Sequence, residues 1–138
     1  MEALRRYDEA MFRLLVLITI CVGAVSGQDA AAYSAWMKST APQINAIKAA
    51  ITANDNAKVA TEAGKLADTY QKVADFWMMK QKDDAVKLAR ATRDAALEIA
   101  SSSTPDAQNA GVTKVQGTCG GCHRVYREGT AGNYKIKE

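Results

Sequence analysis

From Val59 to Trp77, apolar residues recur at intervals alternating between four and three: Val59, Ala63, Leu66, Tyr70, Val73 and Trp77. On an α-helix that spacing lines up one face, and a stripe sustained over about five turns must be covered by other elements. Two further seams exist to cover it. Ala85, Leu88, Thr92, Ala95 or Ala96, and Ile99 form one, and Val112, Val115, Cys119, Cys122 and Tyr126 form the other. Runs of β-branched residues are missing between residues 30 and 128, and only two prolines occur in the chain. The pattern predicts packed helices in one domain, the number that 138 residues comfortably supply.

Punctuation divides the chain from Ala30 onward. A first helix starts in "DAAAYSAWMKST", should kink or restart at Ala41-Pro42, and continues with Ile44, Ile47 and Ile51 on one face. Asn54 to Asn56 supply caps for the second helix. Asp83 or Asp84 is expected to cap the third, and Thr104, followed by Pro105 at the first helical position, the fourth. Short connections imply an all-α, antiparallel up-down-up-down four-helix bundle. In that topology Tyr33, Trp36, Tyr70, Phe76, Trp77 and Tyr126 gather at one end, around the cysteines.

The beginning of the chain reads differently. "LLVLITICVGAV" (Leu14 to Val25) is continuously apolar and is followed by small residues, as in a secretory signal. The run falls short of the roughly 20 residues a membrane-spanning helix needs. Residues 1–26 are therefore expected to be a signal peptide cleaved after Ser26, with Met11 as an alternative start that gives a cleaner basic lead. Cys21 would leave with it. The residue before a lipid-modified cysteine should be small, and Ile20 is not. Residues 27–128 then form the mature domain and residues 129–138 an extended tail, in the periplasm, with no stable membrane insertion. Eighteen basic and fifteen acidic residues leave a formal charge of +3. So small and dispersed an excess is no nucleic-acid footprint.

The densest chemistry lies in "GTCGGCHRVYRE", residues 117 to 128, with the chain's only histidine. Cys-x-x-Cys-His is the c-type haem attachment pattern. Residues three apart project from one helical face, so Cys119 and Cys122 can reach the two vinyl positions of one porphyrin edge, and His123 comes under the iron. A thioredoxin-like redox pair needs a βαβ setting that is missing from the pattern. A zinc site needs four ligands, and the mature chain offers two thiols and one imidazole. A structural disulfide is the remaining competitor in an exported protein.

An exported four-helix domain with "CGGCHRVYR" in its last helix resembles the class II c-type cytochromes, which include cytochrome c prime and its low-spin relatives. The resemblance covers about residues 29 to 128. Tyr126 and Arg127 match the aromatic-Arg pair that often follows the histidine in that family, and "YSAWMKSTAPQINAI" is similar to its first-helix pattern. Pro42 and the absence of the usual glycines depart from it. The resemblance implies one haem c bound through Cys119 and Cys122, a carboxylate-pairing role for Arg127, transient redox partner proteins, and pairing of the bundle as a homodimer through its outer helices. No decisive apolar patch in the sequence marks such a dimer.

With one histidine, bis-histidine ligation within one chain is excluded, and the sixth position decides function. Met37, Met78 and Met79 all fall at the expected haem end. Met37 lies two turns into the first helix and matches the ligand methionine of the low-spin relatives, whereas Met78 and Met79 close the second helix beside the seam. Histidine and methionine together suit electron transfer, and an open face suits small gases. The expectation is a periplasmic single-electron carrier with metal ligands His123 and Met37, and no enzyme activity. The alternative is a five-coordinate protein that binds nitric oxide or carbon monoxide.

Overall fold

The computed structural model describes residues 25–137. Four helices, α1 (Val25–Thr52), α2 (Asn56–Met79), α3 (Asp83–Ser101) and α4 (Pro105–Tyr126), are followed by two short strands, β1 (Arg127–Glu128) and β2 (Lys135–Ile136). The chain divides into a unit ending at Ala35 and a second from Trp36 onward. What is described of the first is helical from Val25, with Tyr33 buried. The expected signal peptide lies, up to residue 24, outside the described residues. Among the described residues no helix is long and apolar enough to cross a membrane.

The second unit is the expected all-α four-helix bundle. Its reversals are set by local chemistry. After α1, Asn54 takes a left-handed backbone (φ 54°), the Asp55 N–H reaches the Ala50 carbonyl and the Asn54 N–H the Ile51 carbonyl. After α2, Gln81 (φ 56°) does the same, with Lys82 N–H on the Trp77 carbonyl and Gln81 N–H on that of Met78. Both are Schellman closures, which satisfy end carbonyls while turning the chain back. Asp55 caps α2 by accepting from the Lys58 N–H at 3.0 Å, and Thr104 caps α4 by accepting from Ala107.

All six α2 seam residues are buried, as are Ile47 and Ile51 of α1, Ala85, Thr92, Ala95, Ala96 and Ile99 of α3, and Val112 and Val115 of α4. Leu88 is only half-buried. A side-chain bond ties α1 to α2, from Gln43 Nε2 to Thr69 Oγ1 at 3.1 Å. Far from the cysteines, the Gln108 amide, 1% exposed, donates to Asn56 Oδ1 at 2.9 Å and to the Ser102 carbonyl at 2.8 Å. That buried amide joins the start of α2, the α3–α4 connection and α4.

Three local expectations change. Helix α1 runs unbroken through Pro42. Proline removes only one donor, and the packed faces before and after it outweigh that loss. The Ser39 and Thr40 hydroxyls just upstream both donate to the Trp36 carbonyl. The residue preceding α3 is Lys82, without a side-chain cap, and Asp83 and Asp84 stand inside its first turn, where the helix dipole favours acidic groups. The expected extended tail folds back: Arg127 pairs with Ile136 and Glu128 with Lys135. Gly129 (φ 95°) and Gly132 (φ 87°) make that return possible.

At Gly111 α4 runs close to the Ile99 side chain of α3. A Cβ there would overlap the Ile99 side chain, whereas one at Gly117 would meet open space. Gly111→Ala is expected to destabilise the bundle by about 1–3 kcal/mol through overpacking. Gly117→Ala should stabilise it by about 0.5–1 kcal/mol by removing helix-interior glycine. Urea unfolding of the two variants checks the pair of opposite signs.

Candidate functional site

The last two turns of α4 carry Cys119, Cys122 and His123, all half-buried. Both cysteines are free thiols. Across from them α2 presents the Tyr70 hydroxyl, 3.2 Å from Cys119 Sγ. One turn beyond His123, the Tyr126 ring lies tilted on Trp77, with centroids 4.6 Å apart, and Trp77 meets Phe76 edge-on at 5.2 Å. The Tyr126 hydroxyl donates to Asp84 Oδ1 of α3 at 2.5 Å. Beside the cysteines, Thr118 and the buried Thr92 share a hydroxyl contact at 2.7 Å.

The end of α2, the start of α3 and the end of α4 therefore meet around the motif, as the antiparallel topology requires. Tyr70, Phe76, Trp77 and Tyr126 all take part. Trp36 and Met37 are half-buried on α1, and no hydrogen bond or ring contact among the described residues links Met37 to the motif. Met78 and Met79 are exposed, as expected of residues flanking the seam. Arg127 is exposed at the head of the ribbon, its guanidinium 4.1 Å over the Tyr134 ring. The partners that sequence reasoning missed are Asp84, read only as a cap, and the Tyr70 hydroxyl, read only as part of a seam.

Electrostatics narrows the chemistry. Burial pushes the Cys119 thiol up, with the Tyr70 hydroxyl opposing, and raises Cys122 to about 11 through burial first and then the nearby Cys119 and Asp84. The pair lies at the C-terminal end of its helix, where the dipole disfavours anions. Neither sulfur is the activated thiolate that disulfide exchange or nucleophilic attack requires. Burial, followed by the charge of Arg127, lowers the His123 pKa and leaves a neutral imidazole with a free lone pair at neutral pH. Among the described residues no group of three or more His, Cys, Asp or Glu side chains converges as a bare metal ion would need. What the arrangement offers is two free thiols and one imidazole at an aromatic-lined bundle end.

In comparisons with known proteins, the chain matches no family model, no curated protein and no solved structure.

The Tyr126–Asp84 bond shifts both partners in opposite directions. It holds Asp84 below its ordinary value and, with burial and the same carboxylate's charge, raises Tyr126 to about 12. The stabilisation from Asp84 is thus present above its unfolded pKa and lost as pH falls through its lowered folded value. That from Tyr126 is present below its unfolded pKa, near 10, and lost as pH rises through about 12. In a tyrosine-labelled NMR titration the Tyr126 ring should ionise late, and Asp84→Asn should bring it back toward ~10.

Proposed function

We propose that the protein is an exported, non-enzymatic electron carrier that binds one haem c covalently through Cys119 and Cys122. In this reading His123 is the proximal ligand and Met37 the sixth. The observation that carries it is the single helical face holding two free thiols three residues apart, followed directly by an imidazole. Each thiol would add across one vinyl group, its sulfur to one carbon and its proton to the other, so no oxidant or leaving group is needed. The neutral imidazole suits ligation.

The surroundings fit a flat, largely apolar group. Gly120 lies between the two cysteines in sequence, and a Cβ there would meet nothing within 4 Å, so the helix surface beside them is open. Tyr70, Trp77 and Tyr126 supply aromatic walls. When bound, the haem would supply a one-electron couple, and ligation by methionine as well as histidine would raise its potential. The protein's own work is to tether, to orient the imidazole and to limit water.

Arg127, one turn past His123, is proposed to pair with a haem carboxylate, for which a guanidinium fork is suited. The class II c-type cytochromes remain the family this reading invokes, with transient redox proteins as partners, a periplasmic location and homodimer formation as further parts of the proposal.

The chain should be expressed where export and haem attachment both operate. The expected product keeps its haem on a denaturing gel, loses it from Cys119→Ala/Cys122→Ala, and shows the weak ferric charge-transfer band of sulfur-ligated iron that vanishes in Met37→Ala. A chain that retains no haem sinks the reading. A haem-loaded but high-spin chain that takes up carbon monoxide readily replaces electron transfer by gas binding.

A further inference from the structure

Helix α4 is held to the bundle in two ways along its length. Through Val115 it is anchored by buried residues, Gln108, Gly111, Val112 and Val115. Beyond Val115 none of its side chains is fully buried. The turns that carry the motif therefore depend on discrete ties: Thr118 to Thr92, Cys119 to Tyr70, and then Tyr126.

Tyr126 is fastened from three sides. Its ring rests on Trp77 of α2, its hydroxyl donates to Asp84 of α3, and its carbonyl accepts the Lys137 N–H from the returning ribbon at 2.9 Å. Its neighbours Arg124 and Val125 are exposed. No other described residue of the last turn has both a ring contact and a side-chain hydrogen bond to other helices.

We infer that Tyr126 is a positioning residue which, through Asp84, fixes the rotation of the last turn of α4 and with it the direction of the His123 imidazole. Side chains three apart are neighbours on one face of a helix, so a rotation that frees Tyr126 carries His123 with it. An exposed carboxylate has water as a competing partner, and a lone bond to it would be worth little. Here the ring is already held on a buried tryptophan, so the hydroxyl reaches Asp84 with little left to order. What the imidazole then ligates rests on the function proposed above. The anchoring itself does not.

The test is amide hydrogen exchange over residues 119–126 of the full chain, in wild type, Tyr126→Phe, Asp84→Ala, Asp84→Glu and the Tyr126→Phe/Asp84→Ala double variant. Phenylalanine keeps the ring on Trp77 and removes only the hydroxyl. Each of the first two variants should speed exchange there by roughly five- to tenfold, the loss of one net hydrogen bond. Exchange over residues 108–115 should not change, Asp84→Glu should restore most of the protection, and the double variant should add nothing to either single one. In the haem-loaded protein the same two variants should shift the reduction potential together. Unchanged exchange in correctly folded single variants, or additive effects in the double, overturns the inference. Altered exchange with an unmoved potential overturns the link to His123. A wild-type chain that takes up no haem while the exchange pattern holds removes the functional proposal and leaves the anchoring role intact.

Discussion

The α2 seam is the surface on which the other helices depend. Val59, Leu66, Val73 and Trp77 are at most 2% exposed. Complete burial of such side chains contributes about 1.5–3 kcal/mol each. The ion pair Lys114–Glu98 lies at the surface between long, solvated side chains and is worth about 0–1 kcal/mol. Burial therefore decides the fold, and the charges decorate it. Because α3 packs against α2 and α4 against α3, the place of the motif is fixed by packing many residues away from any cysteine.

Two kinds of adhesion meet on α4. Its first half is anchored by buried residues, with Gly111 required by the close approach of Ile99 and the Gln108 amide locking the far end of the bundle. Its second half exchanges apolar burial for separate contacts with Thr92, Tyr70, Trp77 and Asp84. The division leaves one face of the motif partly open while its backbone stays helical through Tyr126. A tightly packed α4 would hide both thiols. A loosely attached one would leave the placement of the imidazole relative to the sulfurs unconstrained.

How much of this is legible in the sequence follows from the physics of each feature. The seams are readable because helical periodicity and burial are the same fact seen twice, and Asp55, Thr104 and Pro105 are readable because caps act locally. Gln108 is not, since a polar residue becomes buried only when Asn56 and Ser102, distant in sequence, supply its partners. Pro42 misleads because the local rule for proline is weaker than the packing on both sides of it. Asp84 misleads in another way. It sits where a cap would, yet its carboxylate turns to Tyr126, forty-two residues on, a choice that only the meeting of two helix ends creates. The ribbon is invisible beforehand because strands of two residues carry no periodic signal at all.

The position of the motif at the end of α4 separates two chemistries that share one spacing. A Cys-x-x-Cys pair that works as a redox dithiol profits from a helix N-terminus, whose positive end stabilises the thiolate. Here the same spacing stands at the negative end, among partly buried aromatics, and both thiols are pushed up rather than down. That end of a helix disfavours an anion and favours a cation held close to it. Under the proposed reading, a positively charged centre bound by His123 gains from the field that would penalise a thiolate. One feature of the backbone thus weighs against disulfide chemistry and in favour of a ligated cation. Fold alone could not make that distinction, because four-helix bundles host many unrelated functions.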